Sequence, residues 1–108
     1  MSLQDGGGEV ETPVPVVDLD RVEANLARMA AYASQHGLAL RPHVKTHKTP
    51  RVGALQVAHG ATGLTCATPR ELEVMSGVSG SLLWAFPPVG ARRLARLMAV
   101  AEAVALRV

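Results

Sequence analysis

Only one cysteine is present, Cys66, which excludes an internal disulfide and any metal site built from several thiolates. Aromatic residues are nearly as scarce: Tyr32, Trp84 and Phe86 are too few to form stacking platforms for nucleic-acid bases. Charge is sparse and almost balanced, 11 Lys+Arg against 9 Asp+Glu for a formal net charge of +2, so nothing here favours DNA or RNA as a partner. The longest apolar stretches, such as Leu82 to Val89, fall far short of the roughly 20 residues that cross a bilayer. Met1 to Val10 carries Asp5 and Glu9 around Gly6-Gly7-Gly8 and lacks the basic start and apolar segment of a secretory signal. Residues 1–11 are expected to be a disordered leader of a cytoplasmic protein. What is present is a 48% apolar, 19% charged composition over 108 residues, which suits one domain that buries a core.

The apolar pattern alternates between two periods. Pro13-Val14-Pro15-Val16-Val17 is β-branched and proline-punctuated, which predicts an edge strand. Asp20 as N-cap, Val22, Leu26, Met29 and Ala33 at helical spacing, and Gly37 as a stop predict a first helix. Leu38 to Lys45 alternates Leu38, Leu40 and Val44 with Ala39, Arg41, His43 and Lys45, the pattern of a strand with one apolar and one largely basic face. Thr49-Pro50 opens a second helix that closes at Gly60, and Gly63 to Ala67 is a short strand. Thr68-Pro69-Arg70-Glu71 is a capping box before a brief third helix with Leu72 and Met75 facing inward. Ser81 to Phe86 reads as a strand, Leu94, Leu97, Met98 and Ala101 define a fourth helix, and Val104 to Val108 begins another strand.

Strand and helix alternating in this way predict βαβ units and a parallel sheet. No G-x-G-x-x-G stretch follows a strand, so the fingerprint of an open dinucleotide-binding sheet is missing and a barrel is the better expectation. A (β/α)8 barrel takes about 250 residues. The fold expected is therefore α/β, with residues 12–108 forming the N-terminal half or so of a TIM-type barrel, a truncated domain with two unpaired sheet edges.

The segment Arg41-Pro42-His43-Val44-Lys45-Thr46-His47-Lys48 carries the chemistry. Reactive groups in a (β/α) barrel sit where strands end at the C-terminal mouth, and Lys45 falls there, with Thr46-His47-Lys48 as the loop beyond it. An amine held among cations has its protonated form disfavoured, so more of it is a free nucleophile able to attack an aldehyde carbon and form a Schiff base. The same residues read equally well as a solvated basic loop. A phosphate or nucleic-acid contact is less favoured, because no basic stripe continues along the helices. His43 and His47 form a His-x-x-x-His pair, but that spacing serves a metal on a helix, and Pro42 argues against one here. Cys66 reads as a small core residue, and His36 and His59 as helix C-terminal residues.

Several motifs occur together in order: Thr12-Pro13 with Val16-Val17-Asp18-Leu19-Asp20, Asn25 to Met29, Arg41 to Lys48, Gly63 to Thr68 with Glu71, and Ala85 to Gly90. On these, the chain from about Thr12 onward resembles the start of the D-threonine aldolase and D-serine dehydratase family, which shares the alanine racemase-type N-terminal barrel. The resemblance implies a fold type III pyridoxal 5'-phosphate enzyme, with Lys45 as the lysine that carries the cofactor. It places His43 and Arg41 on the barrel interior near that cofactor, and Thr46 and His47 at its edge. The reaction implied is aldol cleavage of a D-threonine-like 3-hydroxy amino acid to glycine and an aldehyde, or, in the dehydratase branch, conversion of D-serine to pyruvate and ammonia. Full-length members add the phosphate-binding loop, the group facing the pyridine nitrogen, and a C-terminal β domain with ligands for a divalent metal, none of which this chain contains. The 108 residues alone are accordingly expected to be inactive or nearly so, and no metal ligand is assigned. The alternatives are a non-catalytic pyridoxal-phosphate-binding protein and a half-barrel that dimerises to hide its edges.

Overall fold

The structure, a computed structural model, describes residues 9–108. Eight residues of the expected leader lie outside this range, and Glu9 to Glu11 are exposed with no helix or strand. Pro13 to Val17 is also exposed and pairs with no described strand, a correction to the expected edge strand. Pro13 and Pro15 each lack an amide donor, which leaves this stretch little with which to build a ladder.

Helix α1 spans Leu19–Gln35. Its N-cap is Asp18 rather than the expected Asp20, because the Asp18 carboxylate accepts from the amides of Asp20 (3.1 Å) and Arg21 (3.2 Å). The helix ends where Gly37 turns to a φ of +64° and the His36 ring donates from Nδ1 to the Tyr32 carbonyl at 2.8 Å. Ala33 is buried and Val22 and Leu26 are half-buried, whereas Met29 is exposed. Helix α2, Pro50–Ala58, starts as expected with Thr49 Oγ1 accepting from the Arg51 amide. Its C-cap, His59, lies 3.5 Å from Glu23 of α1 and joins the two helices.

The expected strand over Leu38 to Lys45 is reduced to one parallel bridge, His43 to Thr65. Thr62 donates to Leu40 O, Thr65 to Pro42 O, and Val44 to Thr65 O, all at 2.8–2.9 Å. The next rung of a parallel ladder would need an amide at residue 42 donating to the residue 63 carbonyl, and Pro42 has none. The segment therefore runs beside β1 without pairing along its whole length.

Strands β1 (Leu64–Cys66), β2 (Ser81–Trp84) and β3 (Ala105–Arg107) form a parallel sheet in the order β1-β2-β3, with α3 (Pro69–Met75) and α4 (Ala91–Ala103) as crossovers. The register pairs Leu64 with Leu82, Cys66 with Trp84, and Leu82 with Leu106. Side chains two apart share a face. Leu64, Cys66, Leu82 and Trp84 pack against Leu72 and Met75 of α3, Leu97 and Val100 of α4, and Val44. Arg96 of α4 also forms an ion pair with Glu73 of α3 and holds the Glu73 carboxyl below its ordinary range. The opposite face carries Thr65, Ser81, Leu83, Ala105 and Arg107, away from the core residues of α3 and α4.

Candidate active site

Val44 anchors the candidate segment. It is fully buried in the core, its amide donates to Thr65 O, and its carbonyl accepts from the Lys48 amide at 2.8 Å. That last bond closes a single turn over 44–48, and Lys48 at its end adopts a φ of +54°. A non-glycine residue held there costs on the order of 1–2 kcal/mol. Because Val44 points to the helices, alternation sends its neighbours His43 and Lys45 to the opposite face, as the sequence predicted. Lys45 is exposed at the C-terminal end of the segment. Its ammonium makes no hydrogen bond or ion pair among the described residues.

His43 sits one alternation step below. Its Nδ1 accepts from the Lys45 amide at 3.1 Å, which leaves the proton of the neutral ring on Nε2. Burial, and then the Lys45 ammonium, push the His43 pKa below its ordinary 6.5, and the Glu71 carboxylate opposes the shift in part. Folding therefore disfavours the imidazolium. The stability this contributes is complete above pH 6.5 and is lost as pH falls from there through the lowered folded value. In an NMR titration of the folded chain, His43 should titrate below 6.5, and Glu71→Gln should lower it further by removing the opposing charge. A rise in Glu71→Gln would contradict this placement.

Glu71 is the residue that the sequence reading undervalued. The capping box it forms with Thr68 is present, with the Glu71 amide donating to Thr68 Oγ1 at 3.1 Å and that hydroxyl donating to Glu71 Oε2 at 2.9 Å. A capping-box glutamate is ordinarily solvated, yet Glu71 is only 5% exposed and its Oε1 has no partner. Its charge reaches both His43 and Cys66. Burial, together with this carboxylate, pushes the Cys66 thiol up to about 12. Cys66 should therefore resist alkylation at neutral pH in the folded chain and react only after denaturant is added, read by mass spectrometry. Rapid labelling of the native chain would overturn its burial.

The other candidates separate. His47 Nδ1 accepts from the Thr49 amide at 3.0 Å, and its Nε2 donates to Gln56 Oε1 at 3.1 Å, so the ring ties the loop to α2. Gln56 had no signal in the sequence beyond helical spacing. Thr46 is exposed beside Lys45. Arg41 lies on the same face as His43 but toward the start of the strands, where Nη2 donates to Ser81 Oγ at 2.9 Å. Among the described residues no group of three or more His, Cys, Asp or Glu is placed to hold a metal ion. No described helix is long and apolar enough to cross a membrane.

Comparison with known proteins bears on this arrangement. No protein-family model matches the chain. It is 46% identical over 71 residues to D-threo-3-hydroxyaspartate dehydratase of Delftia sp. (strain HT23), a match covering 66% of this chain and 19% of the dehydratase. It is 48% identical over 62 residues to D-threonine aldolase of Arthrobacter sp., covering 57% and 16% respectively. In three dimensions it superimposes on D-threonine aldolase from Filomicrobium marinum with a TM-score of 0.84 and 37% identity, over 90% of this chain and 27% of that one. The chain thus spans about a fifth of the curated relatives it matches, or less. Parallel strands with helical crossovers, and the superposition on these structures, define the class: part of an alanine racemase-like α/β barrel. Within that class, the relatives and structural neighbours it resembles are D-threonine aldolase and D-threo-3-hydroxyaspartate dehydratase.

Proposed function

We propose that this chain supplies the lysine-bearing part of a pyridoxal-phosphate-dependent lyase acting on D-3-hydroxy amino acids. The observation that carries the reading is the free Lys45 amine at the end of the first parallel segment, beside a neutral His43, in a chain whose relatives are an aldolase and a dehydratase. An aldehyde needs an accessible, unpaired amine, and Lys45 fits that requirement. Lys45 would hold the cofactor, with His43 beside it and Thr46 and His47 at the rim. When bound, pyridoxal phosphate supplies a sink for the electron pair released at the substrate α-carbon.

The chain's own residues have defined parts in this proposal. The Val44 anchor and the 44–48 turn hold the Lys45 backbone, and the His47–Gln56 bond keeps the loop against α2. His43 presents Nε2–H as a hydrogen-bond donor, and its lowered pKa keeps a second positive charge away from the Lys45 amine at neutral pH. Aldol cleavage is the leading reaction. Loss of water from the same class of substrate is the second reading, favoured by the 46% identity to a dehydratase, and D-serine is the smallest substrate of that kind. The residues around Lys45 do not separate the two. The divalent metal that the resemblance implies has no ligand assigned among the residues of this chain.

Titrating the chain with pyridoxal phosphate and recording the absorbance of a lysine adduct tests the proposal without requiring turnover. The native chain should give a saturable band, and Lys45→Ala should lose it while keeping its folded circular-dichroism spectrum. An identical band from both proteins would end the assignment.

A further inference from the structure

A second cluster of charge lies on the same face as Lys45, at the opposite end of the strands. Arg41 precedes Lys45 by four residues, about 13 Å along an extended chain. Its Nη2 donates to Ser81 Oγ at 2.9 Å, and Nη1 of Arg107 reaches the same oxygen at 3.5 Å. Two guanidinium groups thus converge on one hydroxyl. Together with Ala39 and Thr62 these three residues line a hollow of about 530 Å³. Arg41 Nη1 is buried and has no hydrogen-bond partner.

Among the described residues, no acid forms an ion pair with either arginine. The ion pairs there include Arg21 with Asp18, His59 with Glu23, and Arg96 with Glu73, and neither Arg41 nor Arg107 takes part in one. The Ser81 oxygen already accepts from both arginines, so its own proton is free to donate into the hollow. Thr62 has its hydroxyl committed to Leu40 O at 3.1 Å. The side-chain groups that converge at Ser81 are therefore donors, two of them permanently cationic, while the Thr62 oxygen at the margin can only accept. Two like charges at one site disfavour each other until an anion enters, and guanidinium groups match planar or tetrahedral oxyanions in a two-pronged fashion.

We propose that Arg41, Ser81 and Arg107 form an oxyanion site, separate from the Lys45 site, which takes a carboxylate or a phosphate group. This chemistry has two sources: a free anion, or a carboxylate side chain of a segment lying over this face. The proposal stands on this cluster alone and does not depend on the lyase reading.

The test compares thermal unfolding of the 108-residue chain in inorganic phosphate and in chloride at equal ionic strength and neutral pH. A phosphate concentration ten times the dissociation constant should raise Tm on the order of 5 °C. Arg107→Gln, at an exposed position that leaves the core untouched, should lose that response, whereas Arg96→Gln should keep it. N-acetyl-aspartate amide serves as the probe for a side-chain carboxylate. A larger shift with phosphate identifies the free anion, and a larger shift with the aspartate derivative identifies a covering segment. Equal melting in phosphate, aspartate derivative and chloride, or a full response in Arg107→Gln, would overturn the site.

Discussion

Leu82→Ala should lower unfolding stability by about 2–5 kcal/mol, read as a fall in the urea midpoint with an unchanged slope. Leu82 is fully buried on the central strand, where it pairs with Leu64 on one side and Leu106 on the other. Both neighbours are held by backbone ladders, so the sheet cannot collapse into the space that the missing methyl groups leave. Trp84 is larger, but its indole N–H is buried without a partner. Removing it would relieve a desolvation cost that offsets part of the lost packing. Leu94→Ala is the control: Leu94 lies on α4 but is 44% exposed, and its loss should cost less than about 1 kcal/mol. Similar losses at both positions would show that the sheet core does not carry the fold.

Gly63→Ala should have the second largest effect, about 1–3 kcal/mol. A Cβ at this position would stand 2.5 Å from the Ser81 carbonyl oxygen and directly against the Arg41 guanidinium. The carbonyl belongs to β2 and cannot move without disturbing its pairing with β1, and Arg41 would lose its place on Ser81. Gly53→Ala offers a contrast within the same core. There the new methyl meets Met75 Sδ at 3.1 Å, the far end of a flexible side chain, and alanine is the better helix former by about 0.5–1 kcal/mol. That variant should be close to neutral. If Gly63→Ala melts with the native chain, the close approach of Arg41 to the β1 backbone is wrong.

The helices and their stops were legible because their signals are local. Thr49-Pro50, Thr68 to Glu71 and Gly37 each act through bonds within a few residues, and each does so in the structure. The position of Lys45 was legible for a related reason: with Val44 committed to the core, strand alternation decides which way its neighbours point. What depended on distant partners was not readable. Whether 38–45 pairs along its length turns on one missing amide at Pro42 meeting residue 63, a contact across the sheet. The burial of Glu71 and the meeting of Arg41 with Ser81 and Arg107 join residues far apart in sequence. Asp18 and Asp20 are equally good caps by composition, and the carboxylate that reaches two amides decides between them.

The central claim is that one amine of this chain is set apart for an aldehyde. The chain has two lysines, Lys45 and Lys48, three residues apart in one turn, so the choice between them is a stringent test of geometry. Treating the chain with pyridoxal phosphate, reducing with borohydride and mapping the modified peptides by mass spectrometry measures that choice directly. The account predicts a single reduced pyridoxyl group per chain, on Lys45. Modification centred on Lys48, or shared evenly between both lysines and the N-terminal amine, would contradict it.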